Sequence, residues 1–530
     1  GMTKKFHRRF GALLLVALIV AACQSTNTED TAENTPAMLQ ATPDSGFSVR
    51  VLFTVGDQIG EYQPPGILDG LGAWRQGDGR VRILANHEFA SLRGYTYALA
   101  NGTQLRGSRI SFFDLDSDTL DIVAAGPAFD SIRDRSGRVV ADAAQVSERD
   151  DAPLAGLNAL CSAAAYSAGQ GAFVDDILFT NEEVSAREDH PHGGSVWALD
   201  VAGRTLWALP DLGRGSWENV AAIDAPEGFV ALLLSDDIEF GQAPLYLYLG
   251  RPDPSGDFPA RNGLRNGQLH VWVSADGDRS PQDWHGTGTS RDGRFVPIAA
   301  RDPRRAGETG YDAAGYLDDT TLREVAWSVG AFSFSRPEDL HARPGKASQL
   351  VFSSTGHGKI YPADDWGTLY RIDTSFETAD EGEQQVLATL TVLHDADDYG
   401  DRGIRSPDNL TWAGDGMVYV QEDRATKRAR FGGDTGIEAS IWRIDPDRPD
   451  DYARIAIIDR SVLVPPGVRD RKANQLGAWE TSGVIDIAPQ LGRASPALLL
   501  TVQAHGLGGG PVGGADQLVE GGQLLLLTRD

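Results

Sequence analysis

Val196-Trp197-Ala198-Leu199-Asp200 recurs in altered form as Leu369-Tyr370-Arg371-Ile372-Asp373 and Ile441-Trp442-Arg443-Ile444-Asp445. Each copy runs apolar, aromatic, variable, apolar, aspartate. Such a run reads as a short strand, and the closing aspartate suits the start of a turn. Similar short runs continue from about Phe47 to the end, among them Arg50–Val55, Val81–Ala85, Ile110–Leu115, Phe229–Leu234 and Leu524–Thr528. Gly, Asp, Asn or Pro bounds most of them. One supersecondary unit repeated over so long a chain favours a propeller over a sandwich. The expectation is an all-β fold, a β-propeller of six blades with loop insertions, over residues 46–530. Uneven spacing places insertions at Asp130–Leu157 and Gly250–Gly267. Composition agrees, because 61 Gly and 27 Pro in 530 residues suit many turns and argue against a helical bundle.

The N-terminus reads as a targeting signal. Lys4, Lys5, Arg8 and Arg9 precede the apolar run Gly11 to Val20, and Ala21-Ala22-Cys23 supplies small residues before a cysteine. Residues 1–22 are therefore expected to be a bacterial lipoprotein signal peptide, with Cys23 as the lipidated residue. Residues 23–45, poor in large apolar side chains, read as a disordered tether. The expected location is the cell envelope, anchored by lipid to the outer membrane and facing the periplasm or the outside. The formal net charge of −27 repels nucleic acid and attracts cations, so no nucleic-acid partner is expected.

Six acidic clusters sit beside the strand runs: Asn86-His87-Glu88, Asn181-Glu182-Glu183, Trp217-Glu218-Asn219, Arg336-Pro337-Glu338-Asp339, Ser406-Pro407-Asp408-Asn409 and Trp479-Glu480-Thr481-Ser482. Singly, such clusters are ordinary turns. Together they offer the oxygen donors that hard cations such as calcium prefer, and repeated blades could carry them to one centre. Cys161 has no disulfide partner if Cys23 is lipidated, so it is either a buried inert thiol or a ligand.

The order of these motifs resembles the PhoX-type alkaline phosphatases. The resemblance rests on Asn86-His87-Glu88 and on Cys161-Ser162-Ala163-Ala164 followed by Thr180-Asn181-Glu182-Glu183. It continues through Leu212-Gly213-Arg214 with Trp217-Glu218-Asn219, then Arg336-Pro337-Glu338-Asp339-Leu340 and Ser406-Pro407-Asp408-Asn409-Leu410. It implies a propeller holding calcium and iron in its channel and hydrolysing small phosphate esters. Cys161 would then ligate iron, and Glu218, Glu338, Asp408 and one of Glu182 and Glu183 would be metal ligands. Arg336 would clamp the phosphate, with Glu338 beside it in the catalytic set. Glu88, Asn219, Asn409 and Glu480 complete the candidate donors. The sequence departs from the family at Trp217, where histidine is usual, and in the long spacing from Cys161 to Glu182.

Two other readings use the same residues. One is a calcium-only propeller hydrolase of lactones or organophosphate esters, built on Glu218, Asn219, Asp408 and Asn409. The other is a calcium-stabilised envelope protein with no catalytic role. The acidic run Asp395, Asp397, Asp398 and Asp401 lacks the glycine and final glutamate of an EF-hand and reads as a solvated loop. His190 and His192 read as an exposed turn. No Gly-x-Ser-x-Gly elbow is present, and the glycines from Gly506 to Gly514 lack the Lys-Ser/Thr of a phosphate-binding loop.

Overall fold

The computed structural model describes residues 34–147, 155–184 and 192–530. The expected signal peptide, Cys23 and His190 lie outside the described residues. No helix among those described is long and apolar enough to cross a membrane.

Six antiparallel blades form a ring. Their inner strands are Leu68–Arg75, Leu160–Tyr166, Trp217–Ile223, Pro337–Arg343, Pro407–Trp412 and Glu480–Asp486, here blades 1 to 6. Each inner strand packs on that of the next blade, and the sixth returns to the first. The three copies of the repeated pattern are the third strands of blades 2, 4 and 5. Their aromatic residues Trp197, Tyr370 and Trp442 are buried, each in the apolar layer toward the preceding blade. Burial of one such ring stabilises the layer by about 1.5–3 kcal/mol. Asp200 and Asp445 accept backbone N–H groups of the following turns, as expected. Asp373 does not, because its strand runs on to Thr378 and the carboxylate pairs with Arg371 instead.

The insertions behave unequally. Asp130–Leu157 contributes Ser131–Arg133, a parallel edge strand on blade 2. Gly250–Gly267 holds the one-turn helix Phe258–Arg261, capped by Asp257. Between blades 3 and 4, Ser290–Ile298 pairs with Gln268–Ser274 on one side and Gln384–Asp395 on the other, fusing the two blades into one nine-stranded sheet. The longest described helix, Asp319–Ser328, follows this strand.

The N-terminal boundary differs from the expected one. Leu39–Ala41, inside the stretch read as a tether, pair with Ala456–Ile458 at the outer edge of blade 5. Met38 and Leu39 are fully buried there, and that apolar pair is what brings the segment into the fold. Phe47–Thr54 then pairs with the C-terminal strand Gly521–Arg529 to complete blade 6. The acidic run also differs from its reading as a solvated loop. Asp397 accepts the N–H groups of Asp365 and Trp366, and buried Asp401 accepts those of Gly432 and Thr435. Backbone donors, not water, hold these carboxylates. His192 is likewise buried, not exposed.

Candidate metal centre

Two repeated positions line the central channel. The first is the start of each inner strand, where pairing with the second strand slips at Leu68/Leu71, Leu160/Ala163, Trp217/Val220, Pro337/Leu340, Pro407/Leu410 and Ser482/Val484. A bulge there bends the strand and re-aims its side chains. Asp69, Cys161, Glu218, Glu338, Asp408 and Glu480, one from each blade, line a cavity of about 400 Å³. In four blades the residue entering the strand is left-handed without being glycine: Ile67, Ala159, Arg336 and Ser406, with φ of 50°, 42°, 57° and 41°. Backbone strain of this kind persists only where the surroundings enforce it. Glycine allows the close approach beside Asp69, since a Cβ on Gly70 would lie 2.3 Å from the Ala163 nitrogen.

The second position is the residue just beyond each second strand. It is Glu88, Glu183, Asp237, Thr355, Asp423 and His505 in blades 1 to 6. Glu88, Glu183, Asp423 and His505 share the cavity lining with the first ring. Side chains alternate along a strand, so the preceding residue turns the other way. Thus Glu182 is buried behind the channel and accepts the Ser195 N–H at 3.3 Å, while Glu183 lines the channel.

These donors meet in three adjoining groups: Asp69, Glu88 and Cys161; Cys161, Glu183 and Glu218; Glu218, Glu338 and Asp408. Within each group the donor atoms lie within 4.8 Å of one another, and Cys161 and Glu218 each belong to two groups. The Cys161 thiol donates to Glu218 Oε2 at 3.1 Å and approaches Asp69 Oδ2 at 3.7 Å. Asp69 Oδ1, Glu218 Oε1 and Asp408 Oδ1 are buried without a hydrogen-bond partner.

The electrostatics follow from that crowding. Burial first, then the charge of Glu88, drives the Asp69 carboxyl well above the ordinary range. Burial followed by Asp408 does the same to Glu218, and burial followed by Asp237 to Glu183 and Glu338. Asp408 is pushed up by burial and then by Asp423, and Cys161 by burial and then by Asp69. Burial and then Asp423 bring Glu480 up to about 8. Without cations these groups must hold protons. The donor set therefore fits bound cations: carboxylates suit calcium, and the single thiolate suits a transition metal such as iron.

Arg336 stands against the third donor group through Glu338. Its Nε donates to Asp237 at 2.9 Å, Nη2 reaches the other Asp237 oxygen, and Nη2 lies 3.3 Å from Glu338. Nη1 makes no hydrogen bond among the described residues. Asp339 faces elsewhere and accepts from Asn219 and the Leu410 N–H. On the far side, His505 bridges Glu520 at 2.8 Å and Glu480 at 3.3 Å. Burial pulls its pKa down, but the two carboxylates outweigh that and lift it to about 10.

Residues on the second strands hold the first ring from behind. Asn86 donates to the Cys161 carbonyl at 2.7 Å, Asn181 to that of Glu218 at 3.1 Å, and Ser353 to that of Asp408 at 2.5 Å. Each reaches from one blade to the next. Of the expected donors, Cys161, Glu88, Glu183, Glu218, Glu338, Asp408 and Glu480 come together with Arg336. Glu182, Asn219 and Asn409 do not: Asn219 is tied to Asp339, and buried Asn409 is not in the channel lining. Asp69, Asp237, Asp423 and His505 were not anticipated.

A family model described as alkaline phosphatase PhoX matches residues 200–440, a span that holds Glu218, Glu338 and Asp408. No curated protein matches the chain. Among solved structures, Pseudomonas fluorescens PhoX in complex with vanadate, a transition state analogue, aligns with a TM-score of 0.58 at 15% identity, over 94% of this chain and 96% of that one. The likeness establishes the β-propeller fold. The soluble aldose sugar dehydrogenase of Escherichia coli also aligns, at a TM-score of 0.27 and 11% identity, over 71% of this chain and 96% of that one.

Proposed function

We propose that this chain is a metal-dependent phosphoric ester hydrolase. The observation that carries the reading is the row of three donor groups sharing Cys161 and Glu218, with the Arg336 guanidinium at its edge. The phosphatase family model and the vanadate-bound structural relative support it. Asp69, Glu88, Glu183, Glu218, Glu338 and Asp408 would hold calcium, and Cys161 would bring iron to the shared position. Bound there, the cations would supply Lewis-acid charge to the phosphoryl oxygens. Asp237 fixes the plane of the Arg336 guanidinium and leaves Nη1 for a phosphoryl oxygen. A planar guanidinium held this way stabilises the equatorial charge that grows during transfer. The expected N-terminal lipid would place the site in the bacterial envelope.

The test is hydrolysis of 4-nitrophenyl phosphate by wild type and Glu338→Ala, with metal content measured in both. Loss of one cation contact should lower kcat by about a thousandfold or more, as removal of a principal electrostatic stabiliser does. Unchanged turnover in Glu338→Ala would refute the reading. Full turnover by Cys161→Ser with calcium alone would replace it with the calcium-only hydrolase. A protein that binds calcium and turns over no ester would be the non-catalytic envelope protein.

A further inference from the structure

A second cavity of about 460 Å³ adjoins the channel. Arg424, Arg428 and Gln475 belong to both linings, so the two spaces share a wall. The wall is formed by the loop after Val418–Glu422 and the loop before Glu480–Asp486. Beyond it the second cavity is walled by Phe431, Asn474 and Leu476.

Acids outnumber bases 75 to 48 in this chain, so an arginine without a carboxylate partner is unexpected. Arg424 spends Nη2 on the neutral amide of Gln475 at 2.9 Å. Arg428 is exposed and has no ion pair or hydrogen bond among the described residues, and the Lys472 ammonium at the channel mouth is equally without a partner. Burial and then the charge of Arg428 lower the Arg424 pKa, so the two guanidinium groups stand close enough to repel. Two repelling cations on the wall between an acidic channel and an amide- and aromatic-walled cavity form a site for an anion.

We propose that this second cavity takes the leaving group of the phosphate ester. Arg424 and Arg428 then favour leaving groups that carry a second anion, a carboxylate or a further phosphate. The proposal rests on the phosphoric ester reading and names the substrate class of that site. Its chemistry is recognition only. A guanidinium pairs with a carboxylate or phosphate oxygen by charge-assisted hydrogen bonds, and Phe431 and Leu476 offer apolar surface to the body of the group.

The test compares 4-carboxyphenyl phosphate with its methyl ester, whose phenol is somewhat the better leaving group. The ratio of their kcat/KM values, carboxylate over ester, should fall by about tenfold from the metal-loaded wild type to Arg428→Ala, the scale of one charge-assisted contact, mainly through KM, and recover in part in Arg428→Lys. A ratio unmoved by Arg428→Ala would overturn the subsite while leaving the hydrolase intact. If neither ester is hydrolysed, the hydrolase reading fails, and calorimetry with 4-hydroxybenzoate decides the subsite. Binding that Arg428→Ala abolishes supports it, and no binding overturns it.

Discussion

Glu422 and Asp423 are adjacent in the chain and live under opposite conditions. Glu422 is fully buried, yet it accepts Arg405 Nε at 2.9 Å and Nη2 at 2.8 Å, plus the N–H groups of Arg405 and Ser440. Arg405 is itself fully buried, engages Asp401 and two backbone carbonyls, and lies over Phe431 at 3.8 Å. One residue on, Asp423 faces the channel beside Asp408 and Glu480, where burial and mutual repulsion act together. The protein therefore neutralises Glu422 with arginine behind the strands, whereas in the channel Glu338 and Glu480 meet Arg336 and His505 but Asp69, Glu218 and Asp408 have no ion pair among the described residues. Arg323 repeats the peripheral solution with Asp236 and Asp319. Asp69, Glu218 and Asp408 are where cations from solution would bind under the proposed function.

The contrast can be broken from either side. Glu218 belongs to two donor groups, so Glu218→Gln should cost more activity than any other single change, a thousandfold or more in kcat, with a measured loss of bound metal. Its metal-free form should be no less stable than metal-free wild type, because glutamine replaces a carboxyl that must otherwise take up a proton to be buried there. On the paired side, Arg405→Ala should destabilise by about 3–5 kcal/mol in denaturant unfolding, since it leaves Glu422 buried without its countercharge.

Chelation tests the channel as a whole. In the metal-free protein Asp69, Glu183, Glu218, Glu338, Asp408 and Glu480 have pKa values above their unfolded ones, so the folded state holds more protons. Their contribution is present below the unfolded value of 4.5 and is lost as pH rises through about 8 for Glu480. Melting of the chelated protein should therefore be highest in acid and fall toward pH 8, whereas the metal-loaded protein should lack that decline. A chelated protein whose stability rises over this range would contradict the assignment.

Much of the blade architecture was legible because apolar alternation and an aromatic third strand are local signals. Six of the channel carboxylates were legible for the same reason, as acids abutting strand runs. What escaped was the equivalence between blades. Asn86-His87-Glu88 and Asn181-Glu182-Glu183 are repeated as Ser235-Asp236-Asp237, Gln421-Glu422-Asp423 and Gln503-Ala504-His505, each leaving a second strand. That polar, variable, channel-facing triplet would have found Asp237, Asp423 and His505, and it separates Glu183 from Glu182. Asp69 carried no comparable sign, being a single acid between Leu68 and Gly70, and only the bulge at Leu68/Leu71 turns it inward. Asn219 was misassigned because composition gives the donor type but not the face it occupies.

Blade 6 joins strands from the two ends of the chain, with Phe47 opposite Arg529. The ring is thus closed by pairing between residues far apart in sequence, the kind of contact whose loop-closure entropy slows folding. Glu480 and His505 stand on this blade, so the ring of donors is complete only once that long-range pairing has formed.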